Sequence, residues 1–217
     1  MTQHTLHAFT DAALGTDDAT ALAERLQRGD ISTTDATEAA IARLQRVNLT
    51  LNGLVLDTYA EARERANNKH FEGFFAGVPS LVKDNIDLRG LPTRHGSAAV
   101  GGKPMKKTSV LAKQYLAQGF NLLGKTTLPA FGVTASTEMA HAPATRNPWH
   151  LNHSAGGSSG GSAALVAAGA VPIAHGNDGG GYHRDDGGGF AGYNAERMTR
   201  RATKKKPLPG GGGMQRA

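Results

Sequence analysis

Two glycine-rich stretches, residues 154–162 and 175–181, have the composition of a ligand-binding turn. Glycine and serine let the backbone bend tightly, approach a ligand and present N–H groups to an anion. Flexible linkers use the same residues, but the run between the two stretches, 163–168 (AALVAA), has the composition of a packed helix. We therefore expect both stretches to belong to a folded site.

A third stretch, residues 119–126 (GFNLLGKT), matches the phosphate-loop pattern G-x-x-x-x-G-K-[ST]. A phosphate loop follows a strand and opens a helix, so that backbone N–H groups face the phosphates. Here the pattern follows a predicted helix, its centre at 120–123 is itself a predicted strand, and Pro129 comes soon after. A nucleotide-binding protein therefore remains an alternative that the context disfavours.

Metal ligands are scarce in this sequence. His150 and His153 lie beside Trp149, but no carboxylate or third histidine stands at ligand spacing. The chain has no cysteine, which excludes disulfides, thiolate metal sites and a cysteine nucleophile. We expect neither a metal nor a cofactor.

Helices and strands alternate around these stretches. We predict an opening pair of helices separated at Gly29-Asp30, and further helices at 59–68, 109–118 and 162–168. We predict strands at 51–56, 80–82, 120–123 and 171–174. The alternation favours an α/β fold with a sheet covered by helices.

The sequence changes character near residue 182. Residues 183–217 contain three glycine or lysine runs, and Leu208 is their only Val, Ile or Leu. Such a segment cannot bury a core. We predict a folded unit over residues 1–182 and an aberrant, disordered basic tail over 183–217.

The net charge of +6 belongs almost wholly to the tail. Residues 1–182 hold 16 Lys and Arg against 15 Asp and Glu, whereas residues 183–217 hold 8 against 3. A nucleic-acid partner is therefore not expected. The longest apolar run, 163–174, is too short to span a bilayer, and we expect a soluble, cytoplasmic protein without a membrane partner.

Five segments together resemble the amidase signature family. They are 77–87 (GVPSLVKDNID), 90–93 (GLPT), 124–129 (GKTTLP), 145–149 (TRNPW) and the Gly/Ser stretch 154–162. The resemblance covers about residues 16–181 and implies a mixed β-sheet covered by helices. It also implies an amidohydrolase that cleaves C–N bonds of linear carboxylic amides through an acyl-enzyme, using a Ser-Ser-Lys triad and a small-molecule amide substrate.

The resemblance assigns roles to two residues that lie 75 positions apart. Lys83 matches the family's general base, and Ser158 matches the bridging serine, which typically follows a cis peptide bond and relays a proton. The chemistry is reasonable, because burial favours the neutral amine and only that form accepts a proton. The residues that match the supporting loop are Gly156, Gly157 and Ser159.

The part of the site that would hold the oxyanion turn and the nucleophile departs from the family at one position. The turn that matches the oxyanion hole consists of Asp178, Gly179, Gly180 and Gly181. A backbone donor in such a turn contributes about 3 kcal/mol to transition-state stabilisation. The family's nucleophilic serine follows this turn directly, 24 positions after Ser158, and that position is Tyr182.

Two interpretations of this departure stay open. Family members usually run to twice this length, so we expect a catalytically incomplete amidase, truncated or changed in reading frame near Tyr182. A glycine run such as 187–189 becomes an alanine run when a GC-rich gene is shifted by one base. The alternative is a non-catalytic binding or assembly module derived from the amidase fold.

Overall fold

The computed structural model describes residues 5–9, 13–68 and 70–177. The helices are α1 (Ala19–Arg28), α2 (Thr33–Leu51), α3 (Tyr59–Asn68), α4 (Val110–Leu116) and α5 (Gly160–Ala167), with a 3-10 turn at Ala130–Gly132. The strands are β1 (Leu54–Asp57), β2 (Pro79–Lys83), β3 (Asn121–Thr126), β4 (Arg146–Asn147), β5 (His150–Ser154) and β6 (Ile173–Ala174). The predicted tail, 183–217, lies outside the described residues.

Four of these strands form one mixed sheet in the order β1-β3-β2-β6. β3 is antiparallel to β1 and parallel to β2, and β2 is parallel to β6. The central strands β2 and β3 are buried along their whole length, as expected of strands covered on both faces. The predicted α/β fold with a mixed sheet and covering helices is confirmed.

The two opening helices begin and end at the residues that the sequence marks. The Asp18 side chain accepts hydrogen bonds from the N–H groups of Thr20 and Ala21, which caps α1, and Gly29 ends the helix in a left-handed conformation at φ 75°. The Ser32 side chain caps α2 in the same way. The predicted break at Gly29-Asp30 is therefore confirmed.

The strand boundaries differ from the prediction, and the strand predicted at 171–174 is reduced to the two residues of β6, Ile173–Ala174. Leu51 was expected to begin a strand, but it is the last residue of α2, because it continues the buried face of Leu44 and Val47. The strand predicted at 120–123 extends to Thr126, since the polar residues at its end are buried with hydrogen-bond partners. The hairpin of β4 and β5 has no counterpart in the prediction.

None of the helices in the described ranges is long and apolar enough to cross a membrane. α2 and α5 instead pack against each other and against β2. The side chains that form this core are fully buried aliphatic groups from helices and sheet alike, including Ala40, Leu44, Val47, Leu81, Leu123 and Leu165. Both ends of β2 and the start of α5 are thereby fixed relative to one another.

Gly161 allows the first turn of α5 to approach the sheet closely. A Cβ atom at this position would lie 2.5 Å from the Gly53 carbonyl oxygen and 2.6 Å from the Thr127 backbone nitrogen. Contacts this short with backbone atoms cannot be relieved by a change of side-chain rotamer. The glycine is therefore required where α5 begins, immediately after the Gly/Ser stretch.

We expect Gly161→Ala to lower the free energy of unfolding by about 2 kcal/mol, because the added methyl group forces α5 away from the sheet. Gly101→Ala is the matched control, since a Cβ there meets nothing within 4 Å. Its effect should stay within about 0.5 kcal/mol. Urea unfolding followed by circular dichroism measures both, and equal losses would contradict the close-approach argument.

His175 is a buried titratable group at the end of β6. Its backbone N–H donates to the Leu81 carbonyl at 2.8 Å, and its backbone carbonyl accepts from the Ser162 hydroxyl at 2.7 Å. Its imidazole ring packs edge-on against the Tyr115 ring. Burial, with a smaller contribution from the nearby charge of Lys83, lowers the pKa of His175 to about 4. The folded protein therefore holds this ring neutral at neutral pH.

Acid should destabilise the protein through His175. The unfolded chain takes up a proton near pH 6.5 and the folded chain only near pH 4, so stability falls as the pH falls through this window. Between pH 7 and pH 4.5 we expect the wild type to lose about 2 kcal/mol more than His175→Gln. Urea unfolding at both pH values measures this difference, and parallel losses in the two proteins would refute it.

Candidate active site

The Lys83 amine lies in the interior of the protein, at the last residue of β2. Its side chain is only 1% exposed. Nζ donates to the Ser158 hydroxyl at 2.7 Å, to the Ser159 hydroxyl at 3.0 Å and to the Asn177 side-chain oxygen at 2.7 Å. The fold thus brings Lys83 and Ser158 into direct contact.

The loop that carries Ser158 is held by its glycines and by the segment 136–137. The Gly157–Ser158 peptide bond is cis, as the resemblance implies for this position. A Cβ on Gly157 would lie 2.9 Å from the backbone of Ser136, and the Gly156 carbonyl accepts from the Thr137 hydroxyl at 2.7 Å. At position 157, therefore, only a residue without a side chain fits against this backbone.

Ser159 links this loop to the segment after β6. Its hydroxyl accepts from Lys83 and from the Asn177 N–H at 3.2 Å, and it donates to the Asn177 carbonyl at 3.0 Å. The three residues expected to form the supporting loop, Gly156, Gly157 and Ser159, therefore surround the Lys83–Ser158 pair.

Asn177 is a site residue that the sequence reasoning missed. Its side-chain oxygen accepts from Lys83 at 2.7 Å and from the Asn85 amide at 3.2 Å. The available signal was its position directly before the turn that begins at Asp178. Asn85 stood within a recognised motif without an assigned role, and its own side-chain oxygen is buried with no partner among the described residues.

The opposite face of the same strand end holds a buried ion pair. Lys125 Nζ lies 2.6 Å from the Asp84 carboxylate and also donates to the Pro92 carbonyl at 2.7 Å and the Thr93 hydroxyl at 2.9 Å. Burial lowers the pKa of Lys125, and the Asp84 carboxylate opposes that shift. Lys125 is thus engaged with the protein itself.

These contacts explain the phosphate-loop pattern at 119–126. Its Gly-Lys-Thr portion is the end of β3, which pairs with β1 on one side and β2 on the other. A cradle for a phosphate needs N–H groups that point away from such pairing. In the structure this segment belongs to the sheet, and its lysine, Lys125, forms an ion pair with Asp84.

Ser158 is only half-buried, and we call its solvent-exposed side the open side. The 3-10 turn at Ala130–Gly132 lies near Ser158. A Cβ added to Gly132 would lie 3.6 Å from the Ser158 hydroxyl oxygen, so this turn lies close to the site and leaves room there for a methyl group. Phe131, at φ 55°, is exposed, donates its N–H to the His95 carbonyl at 2.7 Å and stacks on the His95 ring. Sequence reasoning assigned neither residue to the site.

Several predicted site residues lie outside the described part of the chain. These are the expected oxyanion turn and the nucleophile position, Asp178, Gly179, Gly180, Gly181 and Tyr182. Among the described residues, no group of three His, Asp or Glu side chains is arranged to hold a metal ion. His150 and His153 lie on β5 with ring centroids 4.1 Å apart.

The described geometry is suited to proton transfer. A base must lie about 2.6–3.2 Å from the group whose proton it takes, and the Lys83 amine meets this requirement at Ser158. Ser158 is half-buried and borders the open side, whereas Lys83 has no direct access to solvent. A proton that leaves a molecule bound on the open side can therefore reach the lysine through the Ser158 hydroxyl.

Comparison with known proteins places this arrangement in a family. The sequence matches the Amidase family over residues 35–184, more than half of the chain. The Mycobacterium leprae protein AmiC is 47% identical over 173 residues, which cover 80% of this chain and 37% of AmiC. The 6-aminohexanoate-cyclic-dimer hydrolase of Paenarthrobacter ureafaciens is 42% identical over 168 residues, 74% of this chain and 33% of that enzyme.

Solved structures agree with the sequence match. A 6-aminohexanoate cyclic dimer hydrolase with bound substrate superposes with a TM-score of 0.72 at 41% identity, over 76% of this chain and 35% of that chain. A bacterial aryl acylamidase superposes with a TM-score of 0.67 at 34% identity, over 76% and 36%. The chain spans about a third of the length of these relatives. The resemblance seen in the sequence is confirmed, and the chain belongs to the amidase-signature family of hydrolases.

Proposed function

We propose that this site is built for hydrolysis of a carboxylic amide, with Lys83 as general base and Ser158 as proton relay. The observation that carries the proposal is the 2.7 Å contact between the Lys83 amine and the Ser158 hydroxyl in a buried setting. In the neutral form Nζ keeps two N–H donors, for Ser159 and Asn177, and its lone pair faces Ser158. The hydrogen bond to Ser158 is then reversed: the amine takes the Ser158 proton, and Ser158 takes the proton of the nucleophile.

The remaining steps are acylation of the nucleophile, release of the amine and hydrolysis of the acyl-enzyme, and each proton that leaves one group is taken up by another. The deprotonated nucleophile attacks the amide carbonyl, the C–N bond breaks, and the proton held by Lys83 returns through Ser158 to the leaving amine. Water then cleaves the acyl-enzyme by the same relay. We assign the turn Asp178–Gly181 to the oxyanion hole, where backbone N–H groups meet the charge that develops on the carbonyl oxygen.

We propose linear amides as the substrate class. The family hydrolyses amides, and Ser158 is only half-buried, so a bound substrate can contact it. One solved relative is named as an aryl acylamidase and another as a cyclic dimer hydrolase. An active form of the protein should therefore be assayed on linear anilides and on cyclic amides in parallel, and preference for the cyclic amides would overturn this assignment.

We further propose that this chain itself is inactive, because Tyr182 occupies the nucleophile position. A phenol is bulkier than a hydroxymethyl group, and its oxygen lies farther from the backbone than a serine oxygen does. The family match ends at residue 184, close to the change in composition at 183. Both observations support a domain boundary at 182/183 and a change of reading frame near Tyr182.

Tyr182 also favours one alternative. A protein that keeps the buried Lys83 cluster but carries no serine at 182 could serve as a non-catalytic binding or assembly module. Such a module would be a soluble monomer with one sharp unfolding transition and a partner whose affinity falls with salt. Sequencing the gene across codons 179–190 separates the two, because the frame hypothesis fails if no other frame downstream encodes amidase-like sequence.

The purified 217-residue chain should hydrolyse no amide above background. Loss of the nucleophile costs about 10⁶-fold in rate in a serine hydrolase, which places the residual rate below detection. A coupled assay for released ammonia or aniline measures this. Turnover that disappears in Lys83→Ala would show that Tyr182 acts as the nucleophile, and turnover that survives Lys83→Ala would refute the assigned triad.

The frame-corrected protein carrying Tyr182→Ser should gain amidase activity. In that background Lys83→Ala and Ser158→Ala should each remove most of it, because base, relay and nucleophile act as one unit. Lys113→Ala, which changes an exposed lysine on α4, is the control and should leave kcat/KM unchanged. Near wild-type kcat/KM in Ser158→Ala would remove the relay from the mechanism.

A further inference from the structure

The Asp84–Lys125 ion pair lies directly behind the proposed general base. Consecutive residues of a strand point to opposite faces of a sheet, so Lys83 faces the Ser158 loop and Asp84 faces the other side. In the register of β2 and β3, Lys83 stands opposite Thr126, and Lys125 is the residue next to it. One strand end therefore carries the site on one face and the ion pair on the other.

Both members of the pair are closed off from solvent and hydrogen-bonded on several sides. Their side chains are 0% and 4% exposed for Lys125 and Asp84. The second carboxylate oxygen of Asp84 accepts from the Arg94 backbone N–H at 3.1 Å, while Lys125 donates to Pro92 and Thr93. The pair thus joins β2, β3 and the segment 92–95 at one point.

The backbone that leads from Lys83 into Asp84 is held by three hydrogen bonds. The Asp84 N–H donates to the Thr126 carbonyl at 3.1 Å, and the Asp84 carbonyl accepts from the His95 N–H at 3.1 Å. The Lys83 carbonyl accepts from the Ile86 N–H at 3.1 Å. The backbone at Lys83 therefore has little freedom to rotate, and this fixes the position from which the side chain extends.

Burial makes the balance of charge in this pair important. A buried ion pair often stabilises a fold no better than apolar residues of the same size would. A single uncompensated charge in the interior, however, acts on other ionisable groups over many ångströms, because the interior screens it weakly. The pair presents no net charge to Lys83 as long as both members are present.

We propose that Asp84 and Lys125 are positioning residues for Lys83, which hold its strand end in place and keep the interior behind it electrically neutral. The inference rests on the proposed role of Lys83 as the base. The described titratable groups around Lys83 are Asp84 and Lys125, on the opposite face of its strand end, and His175 directly after β6, whose ring is neutral above pH 5. Asp84 and Lys125 therefore control the charge on this side of Lys83.

Titration of the Lys83 side chain by NMR tests the proposal in the full chain. The ε-carbon signal of Lys83 is identified by its loss in Lys83→Arg, and its titration midpoint is then measured in each variant. Lys125→Met leaves a buried carboxylate that favours the charged amine, so the midpoint should rise by about one pH unit, because a charge in the interior is weakly screened, at an effective dielectric constant near 20.

Two further variants separate charge balance from general loss of structure. Asp84→Asn leaves the Lys125 cation unbalanced and should lower the midpoint, whereas the double variant Asp84→Asn/Lys125→Met should restore it to within about 0.3 pH unit. Each single variant buries an unpaired charge, which can unfold the protein. The double variant buries no unpaired charge. A purely structural role predicts equal or larger disturbance in the double variant than in either single one.

The proposal is overturned if both single variants shift the midpoint in the same direction, if neither shifts it, or if the double variant does not restore it. If Lys125→Met does not fold, the downward shift in Asp84→Asn and its reversal in the double variant carry the same decision. The titration does not depend on catalytic turnover, so it tests the role of the ion pair alone. The amidase mechanism is tested separately, by the activity of Lys83→Ala and Ser158→Ala.

Discussion

The burial of the Lys83 amine is the constraint on which the rest of the site depends. A lysine amine that is 1% exposed must be surrounded by hydrogen-bond partners, or its transfer from water would cost more than the fold can supply. The acceptors come from Ser158, Ser159 and Asn177, which lie 75 to 94 positions away along the chain. Folding of the Gly/Ser loop and burial of the lysine are therefore one event.

This constraint also explains the glycines around the site. Acceptors can reach Lys83 only if the loop and the start of α5 come within contact distance of neighbouring backbone, and a Cβ on Gly157 or Gly161 would occupy that space. The small residues that first marked the stretch as a ligand-binding turn thus serve two purposes. They bring serine hydroxyls to the lysine, and they leave the open side of Ser158 free.

The sequence predicted the elements with strong periodic patterns and the two residues at the centre of the site. The opening helices, α3 and the central strands follow from hydrophobic spacing and capping residues, and Lys83 and Ser158 followed from motifs that the resemblance identified. Asn177 and the Asp84–Lys125 pair could not be predicted in the same way. Their roles arise from side chains that meet across the sheet or between distant loops, and no local spacing encodes such contacts.

The described contacts of the base side come from residues that precede position 178. The hydrogen bonds described for Lys83 come from residues up to Asn177, and the ion pair behind it is formed by β2 and β3 alone. On the proposed assignment, a change that begins at Tyr182 concerns the nucleophile and lies after every residue that forms these hydrogen bonds. The proposal that a chain with Tyr182 keeps the base and the relay but lacks the nucleophile rests on this order of residues along the chain.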